Sequence, residues 1–140
     1  MFSEKELAYV RDQPLLRLAT VEVSGQPDVD AVGFRFDGQR FFISGQDLAN
    51  TRKYKNVAAG NKQVSLIIDD LASTQPWTPR GIRLHGLAET TEINGRPYLV
   101  ITPTVSWSWG VDDTTAMFQD GKFKPRKVVW NASDAVTGAN

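Results

Sequence analysis

Runs of β-branched and aromatic residues cut by turn formers fill the first third of this chain, and they constrain its fold more than any other feature. Leu15 to Val23 (LLRLATVEV), Val29 to Phe36 (VDAVGFRF) and Arg40 to Ser44 (RFFIS) are separated by SGQP and DGQ. Such residues suit a pleated, half-buried surface, and short Gly-containing breaks let one strand fold back on the last. The three segments therefore read as an antiparallel meander.

Two helices interrupt the sheet pattern. SEKELAYVRD places Ser3 and Glu6 at capping-box spacing, with acids in the first turn and Arg11 near the end, as the helix dipole favours. A second helix is predicted over about 50–59, ending at Gly60. Beyond it QVSLIID reads as a buried strand and DDLASTQPWTPRG as a loop. IRLHGLAETTEI, turned by Asn94-Gly95, leads into RPYLVITP and TVSWSWG, and RKVVWN adds a weak strand. Six or seven strands with two short helices in a chain of 140 residues predict a mainly β domain over 1–131, closed or nearly closed into a barrel, with a loose tail over 132–140. OB-like, lipocalin-like and flavin-binding split barrels all fit that count.

Composition removes several functions. Sixteen Lys plus Arg balance sixteen Asp plus Glu, so there is no net field to gather nucleic acid or an anionic membrane. With no Cys and one His, His85, there is no thiol nucleophile, disulfide framework or cysteine-based zinc site. No serine sits in a Gly-x-Ser-x-Gly pattern that would make His85 part of a hydrolase triad. Neither a spanning apolar run nor a secretory leader is readable, and a cytoplasmic protein is expected.

The charges that do not fit the ordinary rules are in TRKYKN. A helix starting near Asn50 or Thr51 puts Arg52 and Lys53 in its first turn, where free N–H groups already carry partial positive charge. An anion resting on both the N–H groups and the cations explains this reversal. A solvated basic face is the competing explanation. Gly33, inside a strand pattern, marks a bulge or a close approach to the backbone. Asp28 and Asp30 alternate with Val29 and Ala31, as on a half-buried strand. WTPRGIRLHG brings Trp77, Arg80 and Arg83 together, with His85 on the same strand face as Arg83. Trp107 and Trp109, two apart, share a strand face and could wall a pocket for a flat ring or form core or subunit interface.

Taken in order, RLATVEVSGQPDVDAVGFRFDGQRFFISG, TRKYKNV, SLIIDDLAS, PWTPRGIRLHGLAE and ITPTVSWSWGV resemble the pyridoxamine-phosphate-oxidase-like split β-barrel family. Within it they are most similar to the actinobacterial branch of deazaflavin (coenzyme F420)-dependent reductases, across roughly residues 3–112. The resemblance implies a homodimer with a cofactor at the subunit interface. It gives the phosphate to Thr51, Arg52, Lys53, Lys55 and Asn56. It lays the ring along Asp30, Ala31, Val32 and Gly33 and near Ser44 and Gly45, with Trp77 and Arg83 completing the pocket. Asp30 departs from the neutral residue common in relatives.

The implied activity is hydride transfer from reduced deazaflavin to an electron-poor C=C or C=N bond of a small organic substrate, with Trp107 and Trp109 beside that substrate. The same branch includes reductases of aromatic polyketide biosynthesis. FMN is the alternative cofactor on the same barrel, and a non-enzymatic deazaflavin or flavin binder is the alternative role. No metal is expected, and an OB-like nucleic-acid module is disfavoured by the charge balance.

Overall fold

A computed structural model describes residues 1–112 and 118–130. The elements run α1 (Glu4–Asp12), β1 (Leu15–Val21), β2 (Pro27–Gly33), β3 (Arg35–Phe36), β4 (Phe41–Ile43), a 3-10 turn (Leu48–Asn50), α2 (Arg52–Ala58), β5 (Gln63–Thr74), β6 (Trp77–Ile93), β7 (Arg96–Trp109), β8 (Phe118–Gln119), β9 (Lys122–Phe123) and β10 (Arg126–Val129). The loose tail expected over 132–140 lies outside the described residues.

The main sheet has the order β2-β1-β5-β6-β7-β4-β3, and β7 pairs β4 along its first half and β10 along its second. This corrects the meander. Strands β1 and β2 pair, as do β3 and β4, but β2 and β3 stand at opposite ends of the sheet. Only Phe34 separates those two ends in sequence. One residue spans about 3.3 Å, so the end strands meet at that corner and the sheet has to curl. A mainly β split barrel results.

Two further corrections concern length. The segment 69–81, expected as a loop, is the end of β5 and the start of β6, paired from Asp69↔Gly81 to Thr74↔Trp77. Its Ser, Thr and Pro residues hide a ribbon whose turn is only Gln75-Pro76. RPYLVITP and TVSWSWG are one strand, β7, because Pro103 falls at the register shift between His85 and Gly86, where a missing N–H is tolerated. The Asn94-Gly95 turn is as expected, with φ of 53° and 77° at the two positions, as a two-residue hairpin demands.

The inner face of the curled sheet holds Leu16, Leu18, Phe41, Ile43, Leu66, Ile68, Ile82, Leu84, Leu99 and Ile101, all 2 % exposed or less. Helix α1 closes one end. Its capping box is formed in full, Ser3 accepting from the Glu6 N–H and Glu6 accepting from the Ser3 N–H. The Glu6 side chain is also buried, and it takes further hydrogen bonds from Ser108 and Arg126. That network joins α1 to β7 and β10. On the other side of the helix Tyr9 Oη donates to Asp70 Oδ1 at 2.8 Å, and Arg80 donates to both oxygens of the same carboxylate at 2.9 and 2.6 Å.

Candidate functional site

Helix α2 starts where the charge pattern placed it. Thr51 is its N-cap and accepts from the Tyr54 N–H, so Arg52 and Lys53 are the first two helical residues. Val57 and Asn56 anchor the helix against the barrel, while Arg52 and Lys55 remain exposed with no carboxylate partner among the described residues.

Three members of the expected anion site have protein partners, the first being Thr51, whose Oγ1 also donates to the Leu48 carbonyl at 2.6 Å. Lys53 Nζ lies 2.9 Å from Asp30 Oδ2, its side chain only 11 % exposed against 58 % for the aspartate. Asn56 is buried and donates to Thr20 Oγ1 and Asp28 Oδ2, both at 2.9 Å. The acids of β2 therefore face α2. Val29, at 73 % exposure, and Ala31 face outward, while Val32 shares the face of Asp28 and Asp30 and packs against the core, so the apolar side of the expected alternation is the bare one. The reversal has a local cause: Asn56 and Lys53 offer the aspartates better partners than solvent does.

Gly33 is not a bulge. The β1–β2 register is unbroken from Leu15↔Gly33 to Val21↔Pro27, and a Cβ at Gly33 would meet nothing nearer than the Pro14 carbonyl at 4.0 Å. Gly33 and Ser44 line one shallow depression with Phe34, Arg35, Phe42 and Tyr98, of about 300 Å³. Gly45 follows at the end of β4, before the 3-10 turn that leads into α2. The edge of β2 away from β1 has no strand partner, so the backbone N–H and C=O groups that alternate residues of Asp30 to Gly33 turn toward it stay outside the sheet ladder.

Arg83 and Trp107 are brought together on the outer face of the sheet. They are register partners, and the guanidinium carbon lies 4.0 Å from the indole centroid. His85 meets the same ring edge-on, with ring centroids 5.0 Å apart. Trp109 shares that face, as predicted, but lies across Gly81 and near Phe123. Trp77 stands at the tip of the β5–β6 ribbon, 68 % exposed. In the sheet order β6 is three strand spacings from β2, roughly 14 Å at about 4.8 Å each, so within one chain the Arg83 group and the β2 edge form separate clusters.

Sequence reading overlooked Lys127, which is the register partner of Trp107 on β10 and lies 6.0 Å from its ring. No turn links β7 to β10, so only the fold reveals the pair. Among the described residues there is no cluster of potential metal ligands, and no helix is long and apolar enough to cross a membrane.

An open antiparallel sheet curled back on itself, carrying a basic helix pole beside an exposed edge strand, defines a split barrel. The family model described as pyridoxamine 5'-phosphate oxidase matches residues 2–94, and the chain belongs to that family. It is 34 % identical to the 5a,11a-dehydrotetracycline/5a,11a-dehydrooxytetracycline reductase of Streptomyces rimosus, over 79 % of this chain and 84 % of the relative. Among solved structures, one described as an F420 reductase superposes with a TM-score of 0.58 at 21 % identity, over 76 % of this chain and 98 % of the other. The heme storage protein HutZ of Vibrio cholerae superposes equally well, TM-score 0.58 at 19 % identity, over 74 % and 91 %. At these identities the two structures attest the shared fold, not a shared ligand.

Proposed function

We propose that this protein is a reductase of electron-poor C=C or C=N bonds in small organic molecules, with the deazaflavin coenzyme F420 as its cofactor. The observation that carries the reading is the 34 % identity with the Streptomyces rimosus reductase across most of both chains. The cofactor, when bound, supplies the hydride.

The chain's own residues suit that group. Arg52 at the start of α2 and Lys55 in its last turn are exposed cations without a protein counter-ion among the described residues, and the first-turn N–H groups of Arg52 and Lys53 add partial positive charge. A phosphate there competes with Asp30 for Lys53, or shares it, since the Asp30 carboxylate is on the solvent side of the pair. Thr51 and Asn56 hold the pole in place, the first by capping the helix and the second by tying it to Thr20 and Asp28. The open edge of Asp30, Ala31, Val32 and Gly33 offers backbone donors and acceptors to the polar rim of a flat ring, with Ser44 and Gly45 at the neighbouring corner.

A second copy of the chain completes the site in this proposal. The outer face exposes Leu15, Val29, Leu87 and Val129 at 43, 73, 48 and 67 %, around a groove of about 510 Å³ lined by Ala19, Val21, Pro27, His85 and Leu87. An apolar face of that kind on a small chain is the mark of an interaction surface. Packing two such faces would place Arg83, Trp77, Trp107 and Trp109 of one copy nearer the α2 pole of the other. It would also exclude water from a hydride transfer whose demands are orientation and dryness.

FMN is the rival cofactor, because its phosphate suits the same pole. Titration of the purified protein with each cofactor, followed by oxidation of the reduced form across a panel of enones, imines and quinones, tests the proposal. Tighter binding of F420 with turnover on an enone is expected. Tighter binding of FMN, or F420 binding with no oxidation by any acceptor, overturns it in favour of a flavin enzyme or a carrier.

A further inference from the structure

Four arginines lie on β1, β6 and β10, and three of them hold carboxylates: Arg17 binds Asp69 at 2.9 Å, Arg80 binds Asp70 at 2.6 Å and Arg126 binds Glu6 at 2.5 Å. The fourth, Arg83, has an indole instead. Its guanidinium is stacked on Trp107 at 4.0 Å, and Lys127 approaches the same ring to 6.0 Å. Register makes this a single row, Arg83↔Trp107 across β6 and β7 and Trp107↔Lys127 across β7 and β10, all on the outer face. Neither cation has a carboxylate partner among the described residues.

The surroundings keep that charge uncompensated. Asp69, on the adjacent strand of the same face, is taken by Arg17, and its own register partner on β6 is Gly81, which has no side chain. His85, the next outward residue on β6, contributes an imidazole edge-on to Trp107 and a wall to the groove of about 510 Å³. The two cations flank one ring, and an anionic group on the solvent side of that row is attracted by both. Contact with the indole holds the guanidinium in place and leaves N–H groups free to donate, which suits a carboxylate or phenolate oxygen.

We infer that Arg83, Trp107 and Lys127 seat the anionic oxygen of a flat, conjugated ligand whose apolar body lies along His85 and into the adjoining groove. The inference rests on the proposed reductase reading for its biological meaning, since it gives the substrate an ionised carboxylate or phenolate elsewhere on the same polycyclic frame as the electron-poor bond that accepts the hydride. It moves Arg83 from the cofactor's pocket to the substrate's. Such recesses commonly form where subunits or domains meet, so a dimer that covers the rim leaves the seat available.

The test uses the whole protein without cofactor and two probes of one shape, anthraquinone-2-carboxylate and anthraquinone-2-carboxamide, titrated by calorimetry. The carboxylate is expected to bind about tenfold tighter or more, as for a hydrogen bond to a charged group. Arg83→Gln should bring the two affinities together while leaving carboxamide binding and the melting temperature unchanged. Lys127→Gln, on an edge strand, should reduce the preference in part and serves if the first variant folds poorly. Equal affinities in the parent, or a preference that survives both substitutions, overturns the seat. Because no cofactor enters the titration, loss of this preference and failure to oxidise reduced F420 are separate results. The first removes the seat and the second removes the reductase reading.

Discussion

Lys53 Nζ and Asp30 Oδ2 lie 2.9 Å apart, the ammonium nearly buried and the carboxylate largely in solvent. The first turn of α2 thus carries one cation already engaged, Lys53, and one that is not, Arg52, with Lys55 exposed a turn further on. An exposed pair of this kind contributes at most about 1 kcal/mol to stability, so its effect should be read in binding rather than in folding.

Asp30→Asn is expected to tighten F420 binding several-fold by releasing Lys53, and to move the melting temperature little. Lys53→Ala should weaken the same binding by more than tenfold, with a slope against salt concentration shallower than the parent's. Fluorescence titration at two ionic strengths measures both. No change in affinity for either single substitution would remove the α2 pole from the cofactor site.

Glu6 is 1 % exposed and receives hydrogen bonds from the Ser3 N–H, Ser108 and Arg126. Glu6→Ala strands a guanidinium and a hydroxyl beside the core and should destabilise by about 3–5 kcal/mol in urea unfolding. Glu6→Gln, which keeps the shape and part of the bonding, should cost less than half of that.

Asp70 has its carboxyl held below the ordinary value of 3.8, first by the Arg80 hydrogen bonds and then, against the opposing effect of burial, by Tyr9. A depressed carboxyl favours the folded state above its unfolded value, and that contribution is lost as pH falls toward the folded value. Stability should therefore decline with acid from about pH 4 downward, and Asp70→Asn should be less stable at neutral pH with a flatter acid limb. Tyr9 has the opposite sign: burial and Asp70 raise its phenol, so its contribution is complete below the ordinary value of 10 and is lost only in strong alkali. Denaturant midpoints from pH 3 to 7 test the acid limb; a parallel shift of parent and variant would count against it.

A methyl group at Gly81 would lie 2.5 Å from Trp109 Cζ2 and 3.1 Å from the Ile68 carbonyl oxygen. Gly81→Ala must displace the indole and should cost about 1–3 kcal/mol. Trp109→Leu in the same chain should recover part of that loss, while the backbone contact keeps the recovery incomplete. Melting curves of the two single variants and the double variant give the coupling.

Local rules carried much of the fold. The capping box of α1, the Asn94-Gly95 turn, the pairing of β1 with β2 and the start of α2 are each fixed by residues within four positions of one another, and all four were legible. The ribbon over 69–81 was not, because its turn-forming composition outweighs any local sign that the two arms pair. The candidate site was legible as a set of residues and much less so as an arrangement. Nothing local says that Asp30 points at Lys53, that Asn56 is committed to Thr20 and Asp28, or that Lys127 shares an indole with Arg83.

By itself the sequence determined the kind of chain: strand periodicity, two capped helices and a misplaced run of cations suffice for a β-barrel with a basic helix pole, because each depends on neighbours along the backbone. Only the tertiary structure decided which strands border one another and which faces are bare. Those follow from curling the sheet until β2 and β3 meet at Phe34, a long-range closure that buries the apolar inner residues and has no signature in any short segment.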